Sequence, residues 1–311
     1  MNLKKIIITG ATGMLGANLA RLALEKGCEV LCVIRSDSLK LCNLPTNKNL
    51  SIIYSDISEY DSVQAYGIWD VFYHFAWDKT YGMGRDDVDS QLNNIKYTIE
   101  AARLAKRFGC TVFIGAGSQA EYGPVQENLT TNTPIMPQSG YGIAKYTAGR
   151  LVSLLCGQLG MRCNWVRVLS VFGPEDNYNT LIMYAIDSIL NGESPALTKC
   201  EQLWDYLSAR DAANAFFLIG QSGKADRIYL LGSGKGLPLS KYLEIIRDEI
   251  NPNLSLNFGA KEYFPGQPMH LVADISTLIE DTGWKPEVSF VDGIKEIIAN
   301  KKKSITAGEK V

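Results

Sequence analysis

Over the first 170 residues, short unbroken apolar runs alternate with stretches of helical length. The runs are KKIIIT, EVLCVI, SIIYS, DVFYHF, CTVFIG and RCNWVRVL; helical patterns occupy 14–26, about 88–107 and about 140–159. A strand that is apolar at every position offers neither face to water, so it must be covered on both sides. Helical connections supply that cover when successive strands run parallel. The alternation therefore predicts an α/β fold built on a doubly wound parallel sheet. After residue 170 the texture changes. Pro and Gly become frequent (Gly173-Pro174, Pro195, Pro238, Pro252, Pro265-Gly266, Pro268, Pro286) and the strands shorten, which predicts a smaller α/β lobe packed on the first unit.

The first strand runs into TGATGMLG, residues 9–16. Gly10 lets the chain turn sharply, Gly13 removes a side chain where a diphosphate would approach, and Gly16 lets the next helix pack close to the sheet. The free N–H groups and positive dipole end of that helix suit an anion. A tight turn without a ligand uses the same glycines, but their place after the first strand of an alternating pattern favours dinucleotide binding. The spacing G-A-T-G-M-L-G resembles the G-x-x-G-x-x-G turn of the short-chain dehydrogenase/reductase superfamily, a Rossmann fold. The resemblance implies cofactor contacts at Gly10, Thr12, Gly13, Met14, Leu15 and Gly16. It also implies a division into an NAD(P)-binding Rossmann domain over 1–170, also taking in about 205–235, and a substrate-binding lobe over 171–204 and 236–300. Residues 301–311 are expected to be a fraying helix end and a solvated tail.

The second strand ends in Arg35-Ser36-Asp37-Ser38. An acidic residue there would bond the ribose 2′-hydroxyl of NAD, whereas a guanidinium beside a hydroxyl suits the 2′-phosphate of NADP. Arg35 and Ser36 favour NADP(H), and Asp37 keeps NAD(H) open. Asp56, followed by Ile57, resembles the family aspartate near the adenine; an Asp here also suits a helix N-cap.

Lys and Arg (31) nearly balance Asp and Glu (33), for a net charge of −2, so no basic field attracts nucleic acid or an anionic membrane. An anionic ligand must be met locally. The seven cysteines contain no C-x-x-C pair and read as reduced core residues. Three isoleucines between Lys5 and Thr9 are too few for a signal-peptide core or a membrane span. The expected location is the cytoplasm.

YGIAK puts Tyr141 and Lys145 four residues apart, on one face of a helix. Among 15 tyrosines one such pair arises by chance. Three further segments fall where the superfamily carries its marks. HFAW (74–77) resembles H-x-A-A at the end of the fourth strand, which implies Phe75, Ala76 and Trp77 against the cofactor. Asn94 in NNIKYT resembles the helix asparagine of N-V-x-G-T, and Ser118 lies in GSQAEYG after the fifth strand. The resemblance implies a catalytic set of Ser118, Tyr141 and Lys145. A free phenol has a pKa of about 10, and a nearby ammonium with the cationic nicotinamide ring favours the phenolate. Tyr141 is then the acid or base, Ser118 bonds the substrate oxygen, and Lys145 also holds the nicotinamide ribose during hydride transfer.

VRVLSVFGPED (166–176), QLWDYLSARDAANAF (202–216) and PGQPMHLVADISTLIEDTGWKP (265–286) resemble marks of the extended branch, which acts on nucleotide-diphosphate sugars. Within that branch 4,6-dehydratases carry an acidic residue one or two places after the catalytic Ser or Thr. Here those places hold Gln119 and Ala120, which transfer no proton; Glu121, one step further, would face another direction. Hydride transfer remains. GSQAEYG with QLWDYL resembles enzymes reducing 4-keto-deoxysugar nucleotides, so the expected activity is NADPH-dependent reduction of a 4-keto-6-deoxyhexose nucleotide. An NAD-dependent 4-epimerase is the alternative.

Other features oppose that reading. Two family arginines that clamp the diphosphate correspond to Trp204 and Phe264, and the family asparagine after the sixth strand is Ser170. That leaves Lys199, Arg210 or a helix start over 178–190 to meet the diphosphate, with Gln119, Ser170 and Trp204 also near the substrate. Trp204 could equally be a core aromatic. A reductase of a small non-nucleotide carbonyl stays open, and a cofactor-sensing regulator is disfavoured by the Tyr and Lys. His74 is expected to close the fourth strand through hydrogen bonds, and His270 has no evident partner. No metal ligand set is expected. By family analogy, the helices over 88–107 and 140–159 build a homodimer interface.

Overall fold

The computed structural model describes residues 3–306, so residues 307–311 of the expected tail lie outside the described residues. The strands are β1 (Lys5–Thr9), β2 (Glu29–Ile34), β3 (Leu50–Tyr54), β4 (Val71–His74), β5 (Val112–Ser118), β6 (Arg162–Val168), β7 (Ser170–Phe172), β8 (Leu203–Trp204), β9 (Tyr206–Ser208), β10 (Ile228–Leu231), β11 (Leu237–Pro238) and β12 (His270–Leu271). The helices are α1 (Met14–Glu25), α2 (Val88–Arg107), α3 (Gly140–Gln158), α4 (Leu181–Leu190), α5 (Ala209–Ser222), α6 (Leu239–Ile250), α7 (Ser276–Thr282) and α8 (Phe290–Thr306).

All six apolar runs enter one seven-stranded sheet of order β10-β6-β5-β4-β1-β2-β3. Every pairing in it is parallel. The apolar strands are buried because helices cover both faces. On one side α1 packs with α5, and Leu19, Ala20 and Phe216 meet Ile6, Ile8 and Tyr73. On the other α2 packs with α3, and Ala101, Ala105 and Val152 meet Ile7, Phe72 and Phe113. Glycines admit the large Trp165 of β6: a Cβ on Gly115 would stand 2.2 Å from its ring and one on Gly149 2.7 Å from it.

The winding reverses between β1 and β4, and a ligand crevice opens at such a switch point, beyond the carboxyl ends of the strands. Beyond the sheet, α4, α6 and α8 enclose a second apolar cluster around Ile186, Leu243 and Ile297. Short pairings of β8 with β11 and β12, and of β7 with β9, form two small sheets apart from the seven-stranded one. Helix α8 continues through 301–306, where a fraying end was expected. Lys301 is buried and its ammonium bonds Asp187 of α4, because the aliphatic stem covers apolar surface while the charge finds a carboxylate.

All seven cysteines are free thiols and only Cys42 is exposed. Among the described residues, no helix is long and apolar enough to cross a membrane, and no group of three or more His, Cys, Asp or Glu could hold a metal ion.

Candidate active site

A crevice of about 850 Å³ runs from the glycine turn to the smaller lobe. Gly10 has φ of +66°, and a Cβ there would stand 2.6 Å from the backbone nitrogen of Ala76, where the ends of β1 and β4 abut. Gly13 precedes α1 without any side-chain cap, and a Cβ on it would meet only the Gly10 oxygen, at 3.4 Å. The bare donor end of α1 therefore faces the crevice with no side chain in the way. This cradle fits the diphosphate of a dinucleotide.

Ser118 ends β5, and Tyr141 and Lys145 stand on the first turns of α3, which Ser139 caps by accepting the Gly142 N–H. All three line the crevice beside Trp77. The Lys145 ammonium donates to the Ala116 carbonyl at 2.7 Å and lies 3.6 Å from the Trp77 ring centre and 5.7 Å from that of Tyr141. Burial pulls Lys145 down to about 7, against the pull of Glu121. The Tyr141 phenol is shifted upward. Burial pushes it up to about 12, outweighing the Arg85 guanidinium and the Ser118 hydrogen bond that favour the phenolate. Desolvation of the phenolate exceeds what one hydroxyl and a half-buried cation return.

Glu121 points away from the crevice. Its carboxylate accepts the Ser118 N–H at 2.9 Å, the Trp165 indole N–H at 2.9 Å and Arg167 Nε at 2.7 Å, and it is fully buried. The serine hydroxyl in turn accepts the Ala120 N–H. Ser118 is thus fixed by a capping box at the strand end. Gln119 lines the crevice, while Ala120 and Glu121 are buried.

The sequence profile of the NAD dependent epimerase/dehydratase family matches residues 6–232. The chain belongs to that family. Its extended short-chain members are NAD(P)-dependent epimerases, dehydratases and reductases of sugar nucleotides. The chain is similar to CDP-abequose synthase of Salmonella muenchen, with 24% identity over 96% of this chain and 98% of that protein. It is also similar in structure to a UDP-N-acetylglucosamine 4-epimerase from Methanobrevibacter ruminantium M1 in complex with UDP-N-acetylmuramic acid. That likeness has a TM-score of 0.84 and 24% identity, over 96% of this chain and 100% of the other. A UDP-glucuronic acid 4-epimerase from Bacillus cereus, solved with UDP-glucuronic acid and NAD, has a TM-score of 0.82 at 20% identity, covering 96% and 99%.

Most residues singled out in this member of the family line the crevice: Gly10, Thr12, Gly13, Met14, Leu15, Gly16, Arg35, Asp56, Ile57, Phe75, Ala76, Trp77, Ser118, Gln119, Tyr141, Lys145, Ser170 and Trp204. Asp56 also caps the turn after β3 by accepting the Ser58 N–H. Three stand elsewhere. Ser36 is exposed outside the crevice, whose rim at the end of β2 is made by Arg35, Ser38 and Lys40. Asn94 is buried outside the crevice lining, and both ends of its amide are used by the backbone of Asp78, which fixes the loop after β4. Arg210 points to solvent on α5 and pairs with Glu296 of α8 at 3.6 Å, because its helix presents its opposite, apolar face to the sheet.

Trp204 and Ser170, the two departures from the family pattern, bond each other: the indole N–H donates to the Ser170 hydroxyl at 2.8 Å. Glu175 of GPED pairs with Arg21 and bonds Asn18, tying the lobe entrance to α1. Asp205 accepts N–H groups of Ser233, Gly234 and Ala273, and Asp211 those of Glu287 and Val288. These aspartates organise loops. His74 is bonded by Thr9 and Thr98, and His270 by Asn128.

Sequence reasoning missed Arg85, Tyr81, Asp176 and Tyr206, all of which line the crevice. Arg85 lies in the short turn Gly82–Asp86 before α2, which carries no periodicity. Asp176 closes the GPED segment, and burial pushes its carboxyl up to about 6.

Proposed function

We propose that this chain is an NADP(H)-dependent reductase of a nucleotide-diphosphate sugar, taking a 4-keto-6-deoxyhexose nucleotide. The seven-stranded part, with 205–235, holds the dinucleotide, and the lobe of 171–204 and 236–300 holds the sugar nucleotide. Ser118 bonds the substrate oxygen, Tyr141 gives it a proton, and Lys145 holds the nicotinamide ribose. When bound, the nicotinamide supplies the hydride. The observation that carries the choice of cofactor is the rim at the end of β2, where Arg35 and Lys40 line the crevice and exposed Asp37 lies beside Arg35 Nε at 3.7 Å. Two cations with Ser38 suit a 2′-phosphate, and NADPH is exchanged at each turnover in a reductase. Gln119 and Ala120 after Ser118 support hydride transfer without elimination of water.

With no arginine clamp in the lobe, the diphosphate is met at the start of α4, where Thr180, Leu181 and Ile182 line the crevice and no side chain caps the first turn. The chain acts as a cytoplasmic homodimer through α2 and α3. Val88 and Leu92 on one, and Ile143, Leu151 and Leu154 on the other, form an exposed apolar face on two helices that pack together.

The test is deuterium transfer. Reduction of a 4-keto-6-deoxyhexose nucleotide with 4-deuterated NADPH places the label at C4 of the sugar. A protein that yields about one equivalent of NAD on denaturation and inverts C4 of a UDP-sugar without exchange is a 4-epimerase. That second reading is favoured by the likeness to the two solved 4-epimerases. Stabilisation by NADPH but by no nucleoside diphosphate in a thermal-shift panel points instead to a small carbonyl substrate.

A further inference from the structure

The guanidinium of Arg85 lies over the ring of Tyr141, 4.4 Å from its centre. The turn that carries it is held from several sides. Asp86 accepts the Gly140 N–H at 2.8 Å, at the first residue of the helix that bears Tyr141. The buried amide of Gln91 donates to the carbonyls of Lys79 and Gly84. Asp87 pairs with Lys79 at 2.7 Å and caps α2. Among the described residues, Arg85 makes no ion pair with a carboxylate. Its charge is left to the crevice.

The groups around the phenol come from four elements. Lys145 is on its own helix, Ser118 and Glu121 lie at and after the end of β5, Trp77 follows β4, and Tyr81 and Arg85 occupy the turn before α2. Lys145 is a poor source of constant charge here, since it is engaged with the Ala116 carbonyl and burial pulls it down to about 7, where it is only part-charged at neutral pH. A guanidinium stays charged at every working pH. Glu121 spends its charge on Arg167.

We propose that Arg85 is a positioning residue of this site: stacked on Tyr141, it keeps the phenol aimed into the crevice and supplies the permanent positive charge that favours the phenolate. This rests on the reading of Tyr141 as the acid or base. In reduction the phenol loses its proton to the substrate oxygen as hydride reaches the carbonyl carbon, so the cation stabilises the anion left on Tyr141.

The experiment needs no substrate. Tyrosinate absorbance is titrated in the dinucleotide-loaded protein and in its Tyr141→Phe variant, and the difference isolates Tyr141. In Arg85→Gln, compared with Arg85→Gln/Tyr141→Phe, that titration moves up by about one pH unit, the size expected of a lost neighbouring cation. Arg85→Lys keeps it near the parent position. Melting temperatures of both variants stay near that of the parent, because the turn is held by its neighbours. An unchanged Tyr141 titration in Arg85→Gln overturns the proposal, as does an equal shift in Arg85→Lys. Once a substrate is in hand, a raised KM with the titration unmoved would assign Arg85 to substrate binding instead. Because the titration is independent of the sugar, failure of the nucleotide-sugar reading leaves this test intact.

Discussion

At the residue scale, the chemistry of the crevice turns on how a buried phenol is made acidic. Burial holds Tyr141 up at about 12 against the pull of Arg85 and Ser118, so each of those groups limits how far the phenol is raised. Tyr141→Phe removes the transferable proton and little volume. Turnover should fall by about 10²- to 10⁴-fold, while dinucleotide affinity, read by fluorescence titration, stays within a factor of two or so. A parallel loss of cofactor binding would count against the role given to Tyr141. Arg35 stands 61% exposed at the crevice rim, so its contact with a phosphate is partly screened. Arg35→Ala should weaken NADPH by about tenfold and NADH hardly at all; an unaltered ratio of the two dissociation constants would remove the case for NADP(H).

At the element scale, the switch point is a joint between β1, β4 and α2, and His74 sits in it. Its ring nitrogens are bonded by Thr9 of β1 at 2.8 Å and Thr98 of α2 at 3.3 Å, and burial lowers its pKa from 6.5 to about 3. The unfolded chain therefore binds a proton between those values that the folded one refuses. Stability is full above 6.5 and is lost as pH falls from 6.5 towards 3, by up to about 1.4 kcal/mol per pH unit. His74→Gln should flatten the decline of melting temperature over pH 6.5 to 4.5. A mutant curve parallel to the parent would assign that decline to other groups. The same scale explains why most candidate residues converged. Strand ends of one parallel sheet all deliver their following residues to one edge, so Gly10, Ala76 and Ser118, far apart in the chain, share a crevice.

At the scale of the whole molecule, α2 and α3 pack together and each leaves large apolar side chains exposed. Leu92 and Leu154 are 58% and 63% exposed. Leu92→Lys combined with Leu154→Lys would seat two charges in the proposed dimer interface, and sedimentation should then report monomers with unchanged circular dichroism. A double variant that still sediments as a dimer would move the interface elsewhere. At the crevice Glu175 bonds α1, and Trp204 of β8 and Tyr206 of β9 line it.

What the sequence determined by itself was whatever depends on short-range pattern. Unbroken apolar strands demanded cover on both faces, the glycine spacing demanded a turn open to an anion, and Tyr141 with Lys145 followed from one helical turn. The surroundings of those residues came from packing between distant parts of the chain. Asn94 and Arg210 carry the right chemistry, yet one is consumed by the Asp78 backbone and the other turns to solvent with Glu296. Arg85 carries no local signal and still reaches Tyr141, because a turn anchored through Asp86 to Gly140 brings it across 55 residues of chain. Burial, which sets the proton affinity of Tyr141 and Lys145, is a property of everything packed around a group and has no spelling in its neighbours along the chain.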